Sequence, residues 1–134
     1  MENNNPRILM KDFKKYFLLA APPEDVYLAL TNPATIQLWT GAPATMNTEP
    51  GSEFLLWNGD ITGRNIEFST NKKIVQQWYF DGQDEASIVT IKLHTHKVGT
   101  SVELHHTNIP DEVFEEMVKG WEEMYFGALA EFYE

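Results

Sequence analysis

The alternation of apolar and polar positions changes period in a definite order along this 134-residue chain. Residues 12–20, DFKKYFLLA, mix alternation with aromatic and apolar side chains and predict a first strand. APPEDVYLALTN then shifts to helical spacing. Pro22-Pro23 can open a helix, Glu24 and Asp25 suit its positive end, and Val26, Tyr27 and Leu30 share one face. Asn32-Pro33 closes that helix and, with Asn32 as cap, starts a second short one through Ile36 and Trp39. From about residue 44 to 108 the pattern is strands and turns. FLLWNGDITG carries Asn58-Gly59 between apolar runs, the signal of a type I′ hairpin, and Gly63 marks a bulge or a close backbone approach. KIVQQWYF, 73–80, is a further strand ended by Asp81-Gly82, and SIVTIKLHTHKVGTSVELHHTN is a long hairpin turning at Val98-Gly99. After Pro110-Asp111, Phe114, Met117, Val118, Trp121, Met124 or Tyr125, Ala128, Leu129 and Phe132 recur at three- and four-residue steps. They predict one amphipathic helix of roughly 35 Å at 1.5 Å per residue. Gly120 and Gly127 lie seven apart on it, and a repeated cost of about 1 kcal/mol each suggests a close approach to a sheet.

An antiparallel sheet with one apolar face must cover that face, and only the terminal helix is long enough to do so. The expected fold class is therefore α+β: a curved antiparallel sheet of about six to seven strands around a long C-terminal helix, with two short helices after the first strand. With 43% hydrophobic residues the chain suits a single domain over residues 11–134, preceded by an Asn-rich start, 1–10, expected to be poorly ordered. No apolar run is long enough for a membrane span and the first residues lack a signal-peptide pattern, so a soluble, cytoplasmic protein is expected. Zero cysteines remove disulfides, thiolate metal sites and a cysteine nucleophile. A net charge of −10 argues against nucleic acid and anionic membranes as partners. Residues 111–134 hold eight Asp/Glu against one Lys, a solvated helix face in the first instance and a candidate docking surface for a protein partner in the second.

PPEDVYLALTNPATIQLW, PGSEFLLWNGDITG, KKIVQQWYF, SIVTIKLHTHKVGTSVELHHTNIP and GWEEMYFGALAEF, taken in order, resemble the homologues of the activator of the 90-kDa heat-shock protein ATPase, a family of the START-like (SRPBCC) superfamily. The resemblance runs over about residues 12–133, and Gly120-Trp121 is its most specific piece. It departs at Gly51-Ser52, where many members carry two glycines. It implies the helix-grip fold and a cavity between sheet and helix, used elsewhere in the superfamily for apolar molecules and sometimes for catalysis. The family takes its name from a co-chaperone with a separate N-terminal domain for the chaperone contact. A chain of 134 residues is not expected to accommodate that domain, so chaperone activation does not follow from the fold.

Strand geometry separates the adjacent His105 and His106, because successive side chains point to opposite faces. A loop at Val98-Gly99 pairs Ile91 with His106 and Leu93 with Leu104, sending His106 inward and His105 outward. His94, His96 and His105 on the outer face read as solvated strand positions rather than a metal site. An inward histidine is first a satisfied core residue, then a polar contact in a ligand cavity, and last a general acid or base. Of the aromatic set, which also includes Phe54 and Trp57, the residues proposed as cavity lining are Trp39, Trp78, Phe80, Trp121 and Tyr125, together with His106. Arg64 and Glu67 read as a surface pair, and no phosphate loop, nucleophile elbow or metalloprotease motif is found. No cofactor is expected and nothing demands an enzyme. The leading reading is a small protein binding an apolar or aromatic small molecule. The alternatives are a protein-interaction module of a chaperone or stress-response system, and a cyclase- or hydrolase-like enzyme using His106.

Overall fold

A computed structural model describes residues 9–82 and 85–134. Strand β1 (Met10–Leu19) leads into α1 (Pro23–Thr31) and α2 (Pro33–Thr40), followed by β2 (Glu53–Leu56), β3 (Ile61–Ser69), β4 (Lys73–Trp78), β5 (Ser87–His96) and β6 (Gly99–Pro110). The strands form one antiparallel six-stranded sheet in the order β1-β6-β5-β4-β3-β2. Helical chain then runs through α3 (Phe114–Lys119), a π-helical segment (Gly120–Tyr125) and α4 (Phe126–Phe132). The expected α+β helix-grip architecture is thus present. Most of the Asn-rich start lies outside the described residues; of it, Met10 already pairs with Pro110.

The short helices form as their ends dictate. Pro23 occupies the first turn of α1, and the Asn32 side chain accepts a hydrogen bond from the Thr35 N–H at 3.1 Å, capping α2. Val26, Ala29 and Leu30 are buried against the sheet side, while Leu28 and Leu38 face out.

Two hairpins differ from expectation. Leu56 pairs with Ile61, so the β2–β3 connection is a four-residue loop rather than a two-residue turn at Asn58-Gly59. Positive φ begins one residue early and spans Trp57 (48°), Asn58 (56°) and Gly59 (99°). Between β5 and β6, His96 pairs with Gly99 and Val89 with His106, so the turn is Lys97-Val98 and the register moves by two residues. Gly99 serves another contact: a Cβ there would stand 2.5 Å from the Leu19 carbonyl oxygen and 2.6 Å from the Ala21 nitrogen. Two things call for glycine there: its φ of 141° as the chain leaves the turn, and the passage of β6 by the end of β1. An even shift preserves side-chain parity, so His106 still points inward. Gly63 is the close approach anticipated, since a Cβ would fall 2.0 Å from the Gln77 carbonyl oxygen. The bulge in β3 lies further on, between Asn65 and Glu67. Glu67 pairs with Lys73 at 2.9 Å rather than with Arg64.

The C-terminal helix lies across the apolar face of the sheet. Phe126 stacks on Phe17 of β1 at 4.7 Å, Trp121 on Trp78 of β4 at 4.6 Å, and the Tyr133 hydroxyl donates to the Asp25 carbonyl at 3.1 Å. Three elements distant in the sequence are thereby held against one helix. The helix is not uniformly α, and its glycines do not face the sheet as expected. A Cβ at Gly120 would meet nothing within 4 Å, whereas one at Gly127 would stand 2.3 Å from the Glu122 carbonyl oxygen of the π segment. One glycine therefore borders open space, and the other accommodates the changed helical pitch.

Candidate functional site: an aromatic cleft beside a locked histidine

His106 is fully buried on β6. The Trp121 indole N–H donates to its Nδ1 at 3.0 Å, and its Nε2 lies 2.8 Å from Ser87 Oγ. An indole nitrogen can only donate, so Nδ1 is the unprotonated nitrogen and the neutral ring carries its hydrogen on Nε2. Ser87 accepts that hydrogen and donates its own to the Thr107 carbonyl at 2.9 Å. The result is a one-way chain from helix to strand with every group satisfied. Burial pushes the His106 pKa down to about 3, the nearby His105 acting the same way and the Asp12 carboxylate opposing it.

A second buried network fixes Trp78. Its indole N–H donates to Gln76 Oε1 at 3.1 Å, the Gln76 amide donates to Asn65 Oδ1 at 3.0 Å, and the Asn65 amide reaches Ser52 Oγ at 3.1 Å and the Asn47 carbonyl at 3.2 Å. Ser52 thus anchors this chain of bonds. Trp39 is tied similarly, its N–H donating to the Ala29 carbonyl at 2.8 Å. Three indoles are held by their nitrogens, which fixes the direction of their faces.

Where the π segment passes the β2–β3 loop, a cleft of about 580 Å³ opens. Trp57, Ile61, Trp78, Met117, Trp121 and Tyr125 give it an apolar wall, while Asp60, Glu116, Lys119 and Glu123 supply charged groups. Tyr125 is the hub of the rings, with centroids 4.6 Å from Trp121, 5.1 Å from Trp39 and 6.0 Å from Trp57. Trp57 reaches the cleft from a left-handed backbone conformation, which costs a large side chain on the order of 1–3 kcal/mol. Gly120 also lines the cleft, with ordinary right-handed helical angles of φ −60° and ψ −45° and no atom near its missing Cβ. Neither backbone strain nor crowding requires glycine there. Its effect is to leave the cleft open.

Of the residues proposed from the sequence, Trp78, Trp121 and Tyr125 line this cleft. Trp39 packs behind Tyr125, Phe80 lies 6.1 Å from the His106 ring, and His106 sits beneath Trp121 without bordering the cleft. Sequence reasoning missed Trp57, Gly120 and the charged residues. The run Trp57-Asn58-Gly59 held the signal for the first, had its turn been given more than two residues. Among the described residues no group of three or more metal-ligating side chains gathers; His94 instead pairs with Glu103 at 2.9 Å.

A sequence model of the Activator of Hsp90 ATPase homolog 1-like protein family matches residues 20–134. The human Activator of 90 kDa heat shock protein ATPase homolog 1 is 31% identical over 115 residues, covering 84% of this chain and 33% of that protein. The Dictyostelium discoideum homologue is 35% identical over 102 residues, covering 74% and 27%. The chain therefore spans about a third or less of the length of these relatives. Among solved structures, an HSP90 activator from Plasmodium falciparum superposes with a TM-score of 0.82 at 26% identity, over 92% of this chain and 95% of that one. The Aha1 dimer from Colwellia psychrerythraea, at 19% identity and a TM-score of 0.79, shares the fold. With most of its length matched and its helix-grip architecture in common with these structures, the chain belongs to the family of Activator of Hsp90 ATPase homolog 1-like proteins.

Proposed function

We propose that the protein is a binding module whose cleft takes up an apolar or aromatic small molecule. The observation that carries this is the cleft of about 580 Å³, walled by oriented indoles and kept open at Gly120 by a residue with no structural need to be glycine. A concave, mainly apolar site with a few polar groups is the usual form of a small-molecule pocket. Binding is favoured over catalysis because both nitrogens of His106 are engaged inside the core. Titrating fatty acids, sterols and flavonoids against tryptophan fluorescence and backbone amide shifts tests the reading. Saturable binding is expected to move amides of residues 57–61 and 116–125, and Gly120→Leu should abolish it by filling the cleft. If no compound saturates, or if Gly120→Leu binds as well as the parent protein, the reading is wrong.

A second reading, interaction with a 90-kDa heat-shock chaperone, is supported by the names of the relatives and by the acidic C-terminal segment. Glu112 and Glu115 are exposed and do not border the cleft, so reversing their charge separates the two readings. Titration of the purified chaperone should give a complex that weakens in the reversed variant; absence of any complex counts against this role.

A further inference from the structure

The charged groups of the cleft are unequal in number. Asp60, Glu116 and Glu123 bring three carboxylates to its wall against the single ammonium of Lys119. All four are exposed, and among the described residues none is in an ion pair, whereas the adjacent Glu122 is taken by Lys15. Exposed carboxylates alone would be ordinary solvated surface. An independent observation concerns Tyr125, which lines the same cleft and is only 5% exposed, yet its hydroxyl has no hydrogen-bond partner among the described residues. Among the described residues no fully enclosed side-chain oxygen or nitrogen is left unsatisfied, so this hydroxyl is reached from outside the packed core. Burial raises the Tyr125 pKa, which keeps the phenol neutral and able both to donate and to accept. The polar groups of the wall are therefore three carboxylates, one ammonium and a neutral hydroxyl, in a cleft also lined by Trp57, Trp78 and Trp121.

We infer that the cleft selects an organic cation: an ammonium or amidinium head on an apolar or aromatic body. The body lies against Trp57, Trp78 and Trp121, and the head lies among the three carboxylates with the Tyr125 hydroxyl in reach. An indole face carries negative quadrupole potential and attracts a cation, Trp most strongly; Trp78 and Trp121 stack on each other, so the face offered is that of Trp57, whose ring contacts are edge-on. A ligand seated in the cleft displaces water beside Asp60, Glu116 and Glu123, which strengthens their pull relative to open surface. The same arrangement disfavours carboxylates such as fatty acids, because the like charges outnumber Lys119. This inference rests on the small-molecule reading and specifies its ligand class.

Three probes of one shape test it by calorimetry: naphthylmethylammonium, naphthalenemethanol and naphthoate. The ammonium is expected to bind about tenfold more tightly than the alcohol, with naphthoate weakest. The combined variant Asp60→Asn, Glu116→Gln, Glu123→Gln should reduce the ammonium to the affinity of the alcohol. A control with the same change in total charge, Glu49→Gln, Glu112→Gln, Glu115→Gln, should leave the preference intact. Equal binding of ammonium and alcohol would overturn the cationic assignment while leaving the cleft reading in place. Equal loss in the control would also overturn it, by tracing the preference to the overall charge of −10. Binding of none of the probes, nor of any compound in the wider panel, would remove both.

Discussion

At the scale of the residue, His106 decides how the core is held. Its ring sits 5.3 Å from Trp78 and 5.7 Å from Trp121, and its two nitrogens join β5, β6 and the C-terminal helix. Replacing it with phenylalanine strands the Trp121 N–H, while the Ser87 hydroxyl keeps its bond to the Thr107 carbonyl. A buried donor so stranded costs about 1–3 kcal/mol, and His106→Phe should lower the urea midpoint accordingly. The histidine also makes stability depend on pH. Its folded pKa is depressed to about 3 from 6.5, so the unfolded chain binds the proton and the folded one does not. The stabilisation is full above the unfolded value and falls by about 1.4 kcal/mol per pH unit as pH drops from 6.5 toward 3. Urea midpoints measured across that window should fall more steeply for the parent than for His106→Phe. Long-range nitrogen NMR should show the Nε2–H tautomer persisting through pH 5, and titration near 6.5 would contradict it. The inward direction of His106 was legible in strand alternation. Its partners were not, because Ser87 and Trp121 lie 19 and 15 residues away on other elements.

At the scale of the element, the C-terminal helix separates its two glycines. Gly120 has helical angles and open space at its Cβ, so Gly120→Ala should raise stability by about 0.5–1 kcal/mol. Gly127→Ala should do the opposite, since its methyl would lie 2.3 Å from the Glu122 carbonyl oxygen and the π segment would have to rearrange. Thermal unfolding of the two variants checks the contrast, which intrinsic helix propensity alone does not produce. Apolar spacing disclosed the helix but left Met124 or Tyr125 open as the inward residue. The structure buries Tyr125 at 5% exposure and leaves Met124 at 59%. The ambiguity falls within the π segment, where the changed pitch shifts the phase of the helical stripe, and a pattern search with a constant 3.6-residue period does not register that shift.

At the scale of the whole molecule, charge is distributed by tertiary contact. Lys11 pairs with Asp111 at 2.9 Å, and Lys15 with Glu122, so the basic first strand partly answers the acidic C-terminal segment. These surface pairs are worth little individually, and most of the acid faces solvent. With a net charge of −10 the folded chain repels itself. Raising ionic strength from low to physiological should therefore raise the urea midpoint, with the charge-neutralised variant Glu112→Gln, Glu115→Gln responding less. A fall in the midpoint would mean that the lysine pairs outweigh the repulsion. Among the described residues no helix is long and apolar enough to cross a membrane.

The order of elements, the two short helices with their proline and asparagine ends, the inner face of β6 and the grip of sheet on helix were determined by local chemistry and by period, which any window of the sequence contains. The four-residue loop that turns Trp57 into the cleft, the hairpin register and the open side of Gly120 were decided by tertiary contact. A glycine in the sequence marks permission for a backbone, not its reason. At Gly99 the end of β1 adds to a positive φ, at Gly127 the reason is the pitch of its own helix, and at Gly120 the cleft. Each of the three depends on atoms that only folding brings near.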